Sequence, residues 1–238
     1  MDVLARIAEA RGLILDDRQL RQFEDYYRLL IAANQRVNLT SVTAYEEVQR
    51  RHFGESLAVA AALYQADVLQ PGQAARAIDL GAGAGFPGLP IKIAHPSLRL
   101  TLLESAHKKT RFLEEVVERL ALADVSVVTG RAESAAHEPV HREAYDLALA
   151  RALAPLPVLT ELALPFLRLG GVLAAPKGSR VAQEVTAAAL ALRTCGGHLL
   201  STERLPGSQL ALVLVEKTAP TPSAYPRRPG IPAKRPLQ

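Results

Sequence analysis

The chain has 238 residues, 49% hydrophobic, 22% charged and 5% aromatic, which excludes fibrous and wholly disordered classes. At roughly 100 to 200 residues per domain, this length fits one large α/β domain with a small appendage. Its single cysteine, Cys195, allows neither an intramolecular disulfide nor a thiolate-rich metal site, and no apolar run approaches the roughly 18 residues of a membrane span, so a soluble cytoplasmic protein without metal is expected.

In chain order, a short helix is predicted over Val3 to Ala10. A longer amphipathic one follows over Asp16 to Asn34, where Leu20, Phe23, Tyr27, Leu30 and Ile31 recur at helical spacing and Asp16 with Gln19 resembles a capping box. Helices over Ala44 to Arg51 and Ser56 to Gln65 complete an all-helical extension, residues 1–70, closed by Pro71-Gly72. Beyond it, strand candidates Arg76 to Leu80, Leu98 to Glu104, Val125 to Thr129, Tyr145 to Ala150 and Val172 to Pro176 alternate with helical stretches Leu89 to Ala94, His107 to Leu120, Leu156 to Leu167 and Val181 to Thr194. That alternation predicts βαβ units and a parallel sheet. The last two strands, His198 to Glu203 and Ala211 to Lys217, are joined only by Arg204 to Leu210, too short for a crossover helix, so they pair antiparallel. Residues 71–217 thus form the main domain, and 218–238 a Pro-rich tail favouring an extended chain.

The strongest local signal is Asp79-Leu80-Gly81-Ala82-Gly83-Ala84-Gly85-Phe86-Pro87-Gly88-Leu89-Pro90, where the first strand turns into a helix. Glycines permit the tight turn and close ligand approach, and Pro87 suits the first helical position. Gly83 to Gly88 also matches G-x-G-x-x-G, which leaves a dinucleotide-binding Rossmann domain as a competitor and a purely structural turn as the bland alternative. Asp79 favours S-adenosylmethionine, because a carboxylate at the strand end suits the cationic methionyl moiety and repels a pyrophosphate. Glu104, ending the second strand, suits the ribose hydroxyls of either cofactor.

These residues, together with Asn34, Asn38-Leu39-Thr40, Arg51-His52, Leu103-Glu104-Ser105, Lys108, Lys109, Arg131-Ala132-Glu133, Arg151-Ala152, Pro176-Lys177-Gly178 and Tyr225-Pro226-Arg227-Arg228-Pro229-Gly230-Ile231-Pro232, carry a resemblance over nearly the whole chain. The sequence resembles the bacterial small-subunit ribosomal RNA guanine-N7 methyltransferases, the glucose-inhibited division protein B family. The resemblance implies a Rossmann-like class I S-adenosylmethionine-dependent methyltransferase, with a seven-stranded, mostly parallel sheet and an antiparallel last strand. It also implies methylation of one guanine N7 in 16S rRNA near the decoding centre. By the same resemblance Gly81, Phe86, Ala132, Glu133 and Arg151 contact the cofactor. Asp79, Gly83, Glu104 and Ser105 complete that expected set. The chain departs from the family pattern at Gly54-Glu55-Ser56, where Asp-Ser is more usual.

Guanine N7 carries a lone pair and no proton, so in-line attack on a sulfonium methyl needs no general base. No Ser-His-Asp or paired-carboxylate constellation is evident, and no catalytic residue is expected beyond positioning groups. Arg151 is a candidate for the cofactor or for guanine O6. His52, Lys108, Lys109, Lys177, Arg227 and Arg228 are candidates for RNA. The formal charge of +4 bears on this: residues 217–238 hold five Lys or Arg and no acid, so residues 1–216 carry 23 basic against 24 acidic, or −1. The basic tail is therefore expected to add phosphate contacts, with a solubilising tail as the alternative. The expected partner is 16S rRNA or the small ribosomal subunit, and a monomer is the expected state.

Overall fold

Asp16 accepts the Gln19 backbone N–H at 2.7 Å while the Gln19 side chain accepts the Asp16 N–H at 2.8 Å, so the capping box starts α2, Asp17–Val37. The computed structural model describes residues 1–238, with α1 at Asp2–Glu9, α3 at Tyr45–Val48 and α4 at Glu55–Gln65 completing the helical extension. The buried face of α2 is Phe23, Tyr26, Leu30 and Ala33; Leu20, Tyr27 and Ile31 are only half-buried. The helical period was right but the stripe is rotated, because Tyr26 and not Tyr27 faces inward. The expected helix over Ala44 to Arg51 is interrupted: α3 passes into a π-helical turn, Gln49–Gly54, which runs directly into α4.

Seven strands form one sheet: β1 Arg76–Leu80, β2 Arg99–Glu104, β3 Val125–Thr129, β4 Tyr145–Leu149, β5 Leu167–Lys177, β6 Gly197–Arg204 and β7 Ala211–Lys217. Their order is β3-β2-β1-β4-β5-β7-β6, with β7 antiparallel to both neighbours and the remaining pairs parallel. Strand β5 starts five residues before the expected Val172, and the expected helix beyond Leu156 shortens to α8, Leu156–Ala163, plus a 3-10 turn at Leu164–Phe166. Gly170 and Gly171 disguise that start, and the register with β4 shifts just there.

The strands sort their side chains by the two-residue period of a pleated sheet. Ala77, Leu100, Leu102, Leu147, Leu149, Val172, Ala174, Leu212 and Leu214 face one core. Ile78, Leu80, Leu103, Ala148, Leu173, Ala175, Val213 and Val215 face the other. On the first face lie the helical extension, α5 (Gly88–Ala94) and α6 (His107–Arg119), so Phe23, Tyr26, Phe53 and Leu57 share a continuous 39-residue core with the sheet. On the second lie α7 (Ala132–Ala135), α8, α9 (Val181–Ala187) and α10 (Ala189–Cys195), the last two replacing one expected helix with a break at Ala188. The chain ends in α11, Ile231–Lys234. No helix is long and apolar enough to cross a membrane.

Candidate active site

In an open α/β sheet, ligands lie beyond the carboxyl ends of the strands where strand order reverses, here between β1 and β4. β1 delivers Asp79 to that point. Its side chain is fully buried; Oδ2 accepts the Gly88 N–H at 2.9 Å, and Oδ1 has no partner. A Cβ on Gly88 would lie 2.7 Å from Oδ2, so only glycine admits this carboxyl against the start of α5. Pro87 falls one residue before the helix rather than at its first position. Desolvation pushes the Asp79 carboxyl up to about 7 and Glu104 adds to the rise, while the Gly88 hydrogen bond and the Arg151 charge pull it back.

The glycine loop folds over the end of β2. Gly81 and Ala82 donate their N–H groups to the Leu103 carbonyl at 2.8 and 3.1 Å. Gly83, at φ +60°, donates to Glu104 Oε2 at 3.0 Å. Glu104 Oε1 accepts the Ala106 N–H at 2.9 Å and is approached at 3.4 Å by the hydroxyl of exposed Ser105. Next to them, Gly130 donates to the Glu104 carbonyl at 3.0 Å, so the chain leaving β3 brings Ala132 and Glu133 to the same rim. Glu133 Oε1 accepts the backbone N–H of Gly230 at 2.9 Å. The structure thus gathers Asp79, Gly81, Gly83, Glu104, Ser105, Ala132 and Glu133 at one end of the sheet. The orphaned Asp79 oxygen, the left-handed glycine turn and the buried Glu104 carboxylate fit a cationic nucleoside cofactor.

The loop is clamped from the helical side, which sequence reasoning missed. Tyr26 donates its hydroxyl to the Ala84 carbonyl, and its ring stacks on Phe86 with centroids 5.5 Å apart. His52 stacks on Phe86 at 4.6 Å, Phe53 packs between α2 and the loop, and the Arg151 guanidinium lies 5.1 Å over the Phe86 ring. Arg151 donates to the Arg51 carbonyl at 3.1 Å, to His52 Nδ1 at 3.2 Å and, at 3.5 Å, to Glu55. With Nδ1 accepting, the partners assign the proton to Nε2, which donates to Thr40 Oγ1 at 2.7 Å. Burial, then the Arg151 charge, lower the His52 pKa to about 4, so the ring is neutral at pH 7. As a candidate for RNA, His52 therefore offers an uncharged ring rather than a cation.

Arg151 and His52 form one wall of a cleft of about 600 Å³ that also meets Arg51, Glu55, Leu153, Pro176, Lys177 and Arg180. Lys177 lines it but is spoken for: Nζ donates to the Ala154 carbonyl at 2.5 Å and pairs with Glu184 at 3.0 Å. These contacts brace the loop after β4 and hold Lys177 at the edge of the cleft. Arg227 is likewise engaged, its guanidinium meeting both oxygens of Glu161 at 2.9 and 2.6 Å. Arg228 and Lys108 are exposed and Lys109 half-buried, none with an acidic partner. Lys108 also lines a second groove, about 410 Å³, with Arg36 and Arg111, cations that the sequence did not connect because α2 and α6 are distant in the chain. No group of three or more His, Cys, Asp or Glu side chains is arranged to hold a metal ion.

Solved structures with the same sheet include an MtNAS variant in complex with S-adenosylmethionine, 16% identical with TM-score 0.55 over 84% of this chain and 76% of that one. A putative sarcosine dimethylglycine methyltransferase from Galdieria sulphuraria is 17% identical, with TM-score 0.53 over 69% of this chain and 85% of the other. Both likenesses concern the fold. Relatives named ribosomal RNA small subunit methyltransferase G are far more similar in sequence: that of Roseiflexus castenholzii is 50% identical over 240 residues and that of Dehalococcoides mccartyi 42% over 241, each covering 100% of both chains. The model of the GidB family, rRNA small subunit methyltransferase G, matches residues 19–213. With such full-length relatives and a family model spanning the extension and the sheet, the chain belongs to the GidB family of rRNA small subunit methyltransferases G.

Proposed function

We propose that this protein transfers the methyl group of S-adenosylmethionine to N7 of a guanine in 16S rRNA near the decoding centre, acting as a cytoplasmic monomer on the rRNA or the small subunit. The observation that carries the reading is adjacency: the Asp79, Gly81–Gly83 and Glu104 cradle lies beside the cleft of about 600 Å³ that contains Arg151, with Phe86 and His52 stacked between them. That volume is within the range of about 300 to 1,000 Å³ usual for small-molecule sites.

Bound S-adenosylmethionine supplies an electrophilic methyl on a sulfonium. Asp79 would set a negative charge near its cationic end, Glu104 would accept from the ribose hydroxyls, and Ala132 with Glu133 would border the base. Arg151 donates toward guanine O6, the atom neighbouring N7 on the same edge. This contact holds N7 toward the methyl and offsets the charge that builds on the ring. Attack by the N7 lone pair would take that methyl as its bond to sulfur breaks, giving a neutral thioether and a cationic guanine, so the chain's residues would have no proton to move. Orientation and electrostatics therefore carry the catalysis.

Equilibrium dialysis against S-adenosylmethionine and NAD tests the cofactor assignment. The wild-type protein should retain the first and not the second, and Glu104→Ala should weaken retention at least tenfold. Retention of NAD, or an unaffected variant, contradicts it.

A further inference from the structure

Between β3 and β4 the chain has little regular structure: α7 is four residues long, lacks a side-chain cap, and is followed by turns to Ala144. This is the segment that carries Ala132 and Glu133. Ala135 and Ala136 anchor the segment in the second core, but Glu133, half-buried at its start, needs further bracing to stay within the fraction of an ångström that ligand contact requires. The bracing comes from the other end of the chain.

Residues beyond β7 run back across this segment. His137 Nε2 contacts the Pro226 carbonyl at 2.8 Å, Arg142 donates to the carbonyls of Tyr225 and Thr221 at 3.0 and 2.9 Å, and Gly230 donates its N–H to Glu133 at 2.9 Å. The strap is itself pinned by Arg227. Its backbone N–H and its guanidinium meet a Glu161 side chain with no solvent exposure, on α8. A buried carboxylate left without its partner is strongly destabilising, so the pair fixes the strap's position. Gly230 stands at φ +81°, which glycine adopts freely, and that turn aims its N–H at Glu133.

We propose that the C-terminal strap is part of the cofactor site, with Gly230 and Arg227 as positioning residues that hold Glu133 at the nucleoside rim. This rests on the proposed role of Glu133 toward S-adenosylmethionine. It also reassigns one cation of the basic tail: Arg227 serves the fold and the cofactor rather than the RNA. Coupling is reciprocal, so a cofactor that is bound more tightly with the strap in place must in turn hold the strap in place.

Hydrogen exchange on the full-length wild-type chain reads this without any mutation. Saturating S-adenosylmethionine should slow exchange across residues 227–231 at least threefold. If the cofactor binds and those amides are unchanged, the strap is not coupled to the site; if it does not bind at all, the cofactor reading itself fails. Because Arg227→Gln alone strands the Glu161 charge, the paired exchange Glu161→Gln with Arg227→Gln is the second test. It should raise the Kd for S-adenosylmethionine about tenfold while leaving 16S rRNA affinity within twofold and its salt slope unchanged. Weaker RNA binding with a reduced salt slope and normal cofactor affinity would make the strap an RNA handle and overturn the proposal.

Discussion

Asp79 shows how a single residue is tuned by its surroundings. Its carboxyl is buried with one oxygen capping α5 and the other unpaired, which pushes its pKa from 3.8 up to about 7. A carboxyl with a raised folded-state pKa binds its proton more tightly in the folded chain. Its contribution to stability is therefore fully present below the unfolded value and is lost as pH rises through about 7. A cationic ligand favours the ionised form. S-adenosylmethionine binding should then tighten between about pH 5.5 and 8 and release a proton near pH 6.5, and Asp79→Asn should abolish both effects. Calorimetry in buffers of different ionisation enthalpy measures this; a pH-independent affinity in the wild type contradicts it. Much of this site was legible at the residue level, since one contiguous loop and one strand end carry Asp79, Gly81, Gly83 and Glu104. The state of Arg227 and Lys177 was not, because a basic side chain in a sequence does not disclose that Glu161 or Glu184 waits for it in the fold.

Among the elements, α2 does more than cover the sheet. Its Tyr26 reaches the glycine loop through the Ala84 carbonyl and the face of Phe86, so the helical extension helps set the shape of the cradle. Tyr26→Phe keeps the ring and removes the hydrogen bond, leaving a buried carbonyl short of a donor. It should cost about 1 to 2 kcal/mol in urea unfolding and weaken cofactor binding several-fold. Unchanged binding with reduced stability would confine Tyr26 to packing. The amphipathic period marked the helix but not which tyrosine points inward, because Tyr26 and Tyr27 lie side by side at the edge of one apolar stripe. Strands β1, β3 and β7 were legible to the residue because side-chain alternation or short β-branched runs bound them cleanly. The start of β5 was obscured by Gly170-Gly171, and the π-helical turn carrying Arg51 and His52 leaves no mark that periodicity can detect.

At the scale of the whole molecule, the antiparallel β7 followed from a connection too short for a crossover, whereas its insertion between β5 and β6 is a property of the assembled sheet. The strap was the least legible feature. Its contacts, Glu133, Glu143 and Glu161, lie between 66 and 97 residues away in the chain, so nothing local announces them. Charge counting located the surplus in residues 217–238 but not its use: Lys217 and Arg227 are paired internally, which leaves Arg228, Lys234 and Arg235 exposed without an acidic partner. Because guanine N7 carries no proton to remove, the proposed transfer needs no general base. The most direct test is single-turnover methylation of 16S rRNA and of small subunits with methyl-labelled S-adenosylmethionine at saturation, across about pH 6.5 to 9, followed by mapping of the labelled atom. Label on N7 of one guanine, at a rate nearly flat with pH, is the predicted result. Label on another atom, or a log-linear rise with unit slope that a carboxylate or histidine substitution abolishes, would contradict it.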